Sequence, residues 1–479
     1  MTFSWSIFID LGIIAVSLLV ATALRSKVRF LQRFLVPNAL TAGLILLPLY
    51  NYVLPAFGVT TENLQMLTYH LLSIAFVAMA MRPSAPAGEK GDGRIFATSV
   101  AIISQFAIQV TIGLILTLVL ITLYMPDLYY SFGYLLPLGF SQGPGQALSI
   151  GRGWESAGIV GAGSVGLTFA AVGFLIACFG GVFLINYGIR HGWVDRDEIK
   201  ILQTDRVRTG LYRTSARPVG SYLTTESEAI DSMTFNTAIV LFAYFLAYLF
   251  LSGVEIVLSA TGQMGADLAT NLWGISFIFA AMLGLLVKQV MRHLGLEYLL
   301  ETNTLNRVSG LSVDIMVAAA IGAISMIVVI DYIVPITLLS VVGALAVFAT
   351  VPWMCSRIFK DQQHKFLRML LIFGVSTGTL TTGLALLRVL DPDFETPVAS
   401  DYAYAAAIVF VIVIPLILSI NFPVMAWQTG NVMWLWITFA IVFAYLIFSA
   451  VSYLVLARER AFQSGSRVWL HRSSSSTQA

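Results

Sequence analysis

The chain is 479 residues long, 58% hydrophobic and only 11% charged, where a water-soluble domain carries roughly 25% charged residues. Too few polar side chains remain to cover the apolar ones, which excludes a soluble globular fold and makes lipid the solvent. The net charge of +2 says little, because placement of charge decides orientation in a membrane, and no nucleic-acid partner is expected.

A spanning helix needs about 20 largely apolar residues. In chain order, eleven segments meet or approach that length: 5–24, 34–54, 66–81, 95–124, 157–189, 233–258, 268–290, 308–330, 332–356, 402–424 and 431–456. The first carries Asp10 and is followed, not preceded, by basic residues, so it reads as a retained span rather than a signal peptide. Asp10, near a span end, is expected to reach water. The second opens on Pro37-Asn38-Ala39-Leu40-Thr41-Ala42-Gly43, where Asn38 is a candidate to line a site. Gln105, Gln109 and Asn236 read as interhelical hydrogen-bonding groups. Cys178 and Cys355 lie in apolar runs and read as inert buried thiols. Asp314, inside the eighth span, is a cation or proton ligand on one reading and a partner for Arg307 on the other.

Two further apolar segments, 132–151 and 366–387, are rich in Gly, Ser, Thr and Gln. They read as re-entrant hairpins that enter and leave on one face. The basic residues test this. With the N-terminus outside and each span crossing once, cytoplasmic positions hold 26 of the 27 Lys and Arg residues, and only Arg152 falls outside. That asymmetry is what the positive-inside rule requires. A true crossing at either hairpin would invert it.

"GFSQG" at 139–143 recurs as "GVSTG" at 374–378, an offset of 235 residues. "LLSIAFVAMAM" at 71–81 resembles "GLSVDIMVAAA" at 310–320, an offset of 239. Five crossings per half place the second half upside down relative to the first. The expected fold is thus an all-α polytopic membrane protein, an inverted-topology repeat of two five-span halves each with a re-entrant hairpin, plus one extra C-terminal span. Residues 1–190 form the first repeat, 191–231 a cytoplasmic linker, 232–424 the second repeat, 425–457 the extra span and 458–479 a cytoplasmic tail. The tail from residue 464 is expected to be disordered.

Broken backbone at membrane depth is tolerated only where protein or a water-filled cavity surrounds it. The first hairpin offers Ser141, Gln142, Gly143, Gly145 and Gln146, and the second Ser376, Thr377, Gly378 and Thr379, as groups that would bind a substrate carboxylate through hydroxyls and helix N-termini. Ser149, Thr381, Thr382, Asp314 and Asn38 supply oxygens suited to a hard cation such as Na⁺. Gly, Ser and Thr also line ordinary helix contacts in membranes, and that alternative stands beside the site reading. A third alternative comes from Gly139-Phe140-Ser141-Gln142-Gly143, which has the G-x-S-x-G spacing of a nucleophile elbow. No strand pattern surrounds it, and the histidines other than His70 lie in loops or the tail, so no catalytic residues are expected.

The stretches "FLVPNALTAGLILLP" at 34–48, "LLSIAFVAMAMRPSAPAGEKGDGR" at 71–94, "GFSQGPGQALSIG" at 139–151 and "FGVSTGTLTTGLALL" at 373–387 together resemble the bacterial sodium/glutamate symporter family. The resemblance runs over roughly residues 5–424. It implies Na⁺-driven uptake of glutamate or a related carboxylate, with no cofactor beyond Na⁺ as coupling ion. It also implies a homodimer in the bacterial inner membrane in which a hairpin-bearing domain moves as an elevator. A channel or passive anion pore on the same hairpins is the alternative. The span 431–456 and the long central loop depart from that family.

Overall fold

The computed structural model describes residues 5–34, 36–82, 93–193, 209, 219–226, 228–260, 262, 269, 272–360, 364–391, 396–463 and 469, except for the side chains of Thr381, Arg388, Ala407, Phe410 and Val411. Backbone in lipid has no water to bond, so a long apolar run closes its own hydrogen bonds as a helix. All regular structure among the described residues is helical. The principal helices are α1 Ser6–Lys27, α2 Asn38–Pro48, α3 Glu62–Ala80, α4 Arg94–Leu123, α5 Pro144–Glu155, α6 Ala162–Arg190, α7 Ser232–Ser259, α8 Ser276–His293, α9 Thr302–Gly322, α10 Ile333–Ile358, α11 Lys365–Leu390, α12 Val398–Ile412 and α13 Met433–Ala457. Helix α2 runs on through irregular turns to Phe57. With that extension, nine helices among the described residues are long and apolar enough to cross a membrane: α1, α2, α3, α4, α6, α7, α9, α10 and α13.

Among the described residues, two of the eleven expected spans are therefore not single long apolar helices; residues 268, 270 and 271 lie outside the described ones. The segment at 268–290 becomes α8, which begins at Ser276 and ends on Arg292 and His293. The segment at 402–424 is broken: α12 stops at Ile412, and short helices Ile414–Leu418 and Phe422–Thr429 each restart with a proline in the first turn. Proline lacks the N–H that an unbroken helix would use, so it opens a helix more readily than it continues one. The expected span 308–330 instead starts at Thr302, because the Glu301 carboxylate accepts from the Thr304 amide and caps the helix there, and it ends at Gly322. Asp231 caps α7 in the same way, accepting from the Thr234 amide at 2.7 Å and its hydroxyl at 2.8 Å. Those two bonds hold the exposed Asp231 carboxyl below its ordinary value.

Packing divides the helices into two groups. In one, α9 lies against α3 and α2, α8 lies against α3 and α7, and α1 lies against α2. In the other, α4 carries α10, α12 and α13, while α6 carries α5 and α11. Asp10 corrects an expectation here. It is 2% exposed and does not reach water: its carboxylate accepts from the Tyr50 hydroxyl and from Asn63 Nδ2, which fastens α1 to the far end of α2 and the start of α3. A buried carboxylate needs such donors to offset lost hydration.

The second group holds a buried ion pair, Arg368 to Asp401 at 2.7 Å, with side chains 1% and 9% exposed, and Arg94 Nε 3.8 Å from the same carboxylate. Removing one partner of such a pair leaves the other charge uncompensated. Asp401→Ala is expected to cost on the order of 3–5 kcal/mol, whereas Arg292→Ala, which removes the exposed Arg292–Glu297 pair, should cost about 0–1 kcal/mol. Thermal unfolding of the purified variants in detergent checks the ordering, and equal losses would refute it.

Candidate functional site

The segment between α4 and α5 begins as a tight 3₁₀ turn over Tyr130–Tyr134 and loosens to a π-turn over Leu138–Gln142. It ends at Gly143, where φ is 90° and ψ is 178°. That left-handed extended conformation is nearly restricted to glycine, and Pro144 then starts α5. Helix α11 breaks too. Inside it, Gly378 has φ −147°, ψ 25° and Thr379 has φ 73°, ψ 172°. Thus Thr379 holds, without being glycine, almost the same backbone conformation as Gly143.

The two breaks meet. A Cβ placed on Gly143 would run into Thr379 Cγ2. The Ser141 hydroxyl lies 3.2 Å from the Ser376 carbonyl, its counterpart at the 235-residue offset, and 3.1 Å from Gln109 Oε1. Gln109 Nε2 donates to the same Ser376 carbonyl at 2.8 Å. Gln109, fully buried on α4, therefore holds both broken segments through one amide. Thr377 donates back to Phe373 O at 2.8 Å, and Thr382 to Gly378 O at 2.6 Å. Helix α6 comes so close at Gly173 that a Cβ there would strike the Thr377 carbonyl and Phe140.

The remaining glycines serve packing as much as breaking. Gly145, inside α5, admits Leu72 of α3 and Met316 of α9, while Gly139 admits the backbone of Phe169 and Ala170. On α11, a Cβ on Gly374 would lie 2.6 Å from Gly383 Cα, so the two arms either side of Thr379 fold back on each other.

Of the sequence candidates, Ser141, Gly143, Ser376 and Thr379 come together at the breaks, with Gln142, Thr377, Gly378 and Thr382 beside them in the chain. Gln146 is buried in the first turns of α5. Three candidates lie elsewhere. Ser149 donates to the Gly274 carbonyl. Asn38 donates to Leu18 O at 3.2 Å and Thr22 Oγ1 at 2.9 Å on α1. Asp314 lies on the exposed face of α9, and among the described residues it forms no ion pair with Arg307. The Thr381 side chain lies outside the described residues. Gln109 and Gln105 were legible only as helix-contact groups; their i, i+4 spacing puts both on one face, and Gln105 Oε1 accepts from Thr350 on α10 at 2.9 Å.

Chemically, this junction offers hydroxyls, amides, main-chain carbonyls and the N-termini of two half-helices. Ser141 is bonded to an amide and a carbonyl, neither of which takes a proton as a general base does. Among the described residues no group of three or more His, Cys, Asp or Glu could hold a metal ion. No protein-family model, curated protein or solved structure matches the chain.

The backbone geometry makes a stability prediction. Thr379 in the glycine region costs about 1–3 kcal/mol, of which glycine would recover all but the roughly 0.5–1 kcal/mol of added chain entropy. Thr379→Gly should therefore match or exceed the wild-type melting temperature, while Gly143→Ala, strained and obstructed by Thr379, should lower it. Gln109→Leu removes one of the two donors to the Ser376 carbonyl and leaves Ser141 as the other, so it should cost about 0.5–1.5 kcal/mol. Differential scanning fluorimetry in detergent ranks the three. Gly143→Ala proving as stable as Thr379→Gly would contradict the geometry.

Proposed function

We propose that the protein is a Na⁺-coupled secondary transporter for glutamate or a related carboxylate, working by alternating access without covalent chemistry. The observation that carries this reading is the meeting of two interrupted helices at Gly143 and Thr379, which stand one residue out of register in a sequence repeat that matches Gly143 to Gly378. Paired broken helices of this kind are the usual pointer to a transport site.

The contacts at their bases favour an inverted repeat of re-entrant hairpins. Tyr332 touches both ends of the first segment: its ring is 5.7 Å from Phe132 and 6.1 Å from Tyr129, and its hydroxyl is 3.5 Å from the Val160 carbonyl. Both ends of the segment meeting at one residue support a chain that turns back rather than crosses. The second segment starts beside Phe359, whose ring centroid is 5.3 Å from the Arg368 guanidinium, with Lys365 and Arg368 in its own first turns, a basic cluster that favours the cytoplasmic side. On this reading the N-terminus is outside, the C-terminus inside, and the protein is a multi-pass protein of the bacterial inner membrane. Helices α1–α3 and α7–α9 form the frame and dimer face, and the group built on α4 and α6 is the elevator.

The substrate carboxylate then lies at the N-termini of α5 and of the second arm of α11, where main-chain N–H groups and the dipole favour an anion. Na⁺ takes main-chain and hydroxyl oxygens from the same turns. The described side chains at the tips carry no formal charge, so anion and cation offset each other there, and each binds better with the other present. That mutual dependence is the coupling.

Proteoliposomes given an inward Na⁺ gradient should accumulate labelled glutamate or a dicarboxylate, and replacing Na⁺ with K⁺ should abolish the uptake. Gly143→Ala should lose at least about tenfold in rate, corresponding to roughly 1.4 kcal/mol at the site. No gradient-dependent accumulation of any amino or dicarboxylic acid, or large single-channel currents in its place, would refute the proposal.

A further inference from the structure

Three parts of the chain stand outside the repeat: the extra helix α13, the start of the linker and the tail. They converge on one spot. Helix α13 packs along α4 and α10, and the turn after it brings the chain to Ala461, whose carbonyl accepts from the Tyr453 hydroxyl at 2.6 Å. Arg357, at the end of α10, is 2% exposed and stands 3.6 Å over the Trp353 ring. It donates to the Gln463 carbonyl at 2.6 Å. Arg460 donates to the Phe359 carbonyl at 3.0 Å.

Beyond residues 464–468, which lie outside the described residues, Trp469 is 7% exposed. The rest of the tail for which disorder is expected, 470–479, also lies outside the described residues. The Trp469 ring stacks on Trp193, at the start of the linker, with centroids 4.6 Å apart and planes 14° from parallel. Phe366 lies within 6.4 Å of Trp193 and 6.2 Å of Trp469. Phe366 stands in the first turn of α11, and its ring fills the notch that Gly188 leaves in α6.

We propose that residues 458–463 together with Trp469 form an intramolecular clamp on the base of the second broken helix, and that its release lets that helix pair open faster. The clamp joins the end of α6, the end of α10 and the start of α11, the three places that must separate if the arms of α11 are to move. It is built to come off. When Gln463 leaves, Arg357 keeps the Trp353 ring and the Nη1 bonds of 2.9 Å to the Trp353 carbonyl and to Ser356 Oγ, and only Nη2 loses its partner. The effect on rate rests on the transport reading; the clamp itself does not.

The two native thiols report the clamp directly. Cys355 is fully buried on α10, in the same apolar cluster as Phe359, Phe366 and Trp469, while Cys178, 2% exposed, belongs to the other main cluster. N-ethylmaleimide labelling of the full-length protein, read by peptide mass mapping, should rise about fivefold at Cys355 in Trp469→Ala, as loss of one aromatic stack supports. Trp469→Phe, which keeps an aromatic partner, should stay near wild type, and Cys178 should be unchanged in both. Substrate counterflow should rise in Trp469→Ala alone. Unchanged Cys355 labelling in Trp469→Ala overturns the clamp, as does equal opening of both thiols in both variants. Faster Cys355 labelling with unchanged counterflow overturns its control of rate. Absent transport in wild type would sink the uptake reading while the labelling still decides the clamp.

Discussion

A helix that stops within the bilayer leaves main-chain donors and acceptors where no water can reach them. The junction between α5 and α11 is buried in protein, and its bonds meet the same demand. The Ser376 carbonyl takes bonds from Gln109 and Ser141, and the Gly378 carbonyl takes one from Thr382. Neither broken segment is satisfied alone, because Ser141 on one completes Ser376 on the other. The surrounding small residues follow from this. Gly113 against Gly133, and Gly173 against the Thr377 carbonyl, let α4 and α6 approach closely enough to supply and enclose these groups.

Much of this was legible in the sequence, for physical reasons that can be named. Apolar length located most of the spans because spanning a fixed thickness of hydrocarbon fixes a minimum run. The two Gly- and Ser-rich segments were visible because residues that weaken helices are conspicuous between long runs that favour them. Boundaries were less legible. Glu301 moved the start of α9 outward through a cap, a local bond that hydropathy does not register, and Pro415 and Pro423 broke up a run apolar enough to look continuous.

Side-chain roles were the least legible. Ser149 and Asn38 are oxygen-bearing residues near the right segments, yet their bonds are to Gly274 and to α1. Gln109 looked like any buried glutamine on a helix face; only the fold shows that the carbonyl opposite belongs to a broken segment. Asp10 misled in the other direction. Its partners, Tyr50 and Asn63, stand 40 and 53 residues away along the chain, a separation from which no local pattern can infer contact.

The two turning points are alike in shape but unequal in cost. Gly143 adopts its positive φ with ease, whereas Thr379 holds nearly the same angles against its own β-carbon. A residue held in that region is relieved by any rearrangement that lets φ turn negative. The second turning point is therefore a wound spring and the first a free hinge. The difference between the two turning points is thus set by a single methyl-bearing side chain.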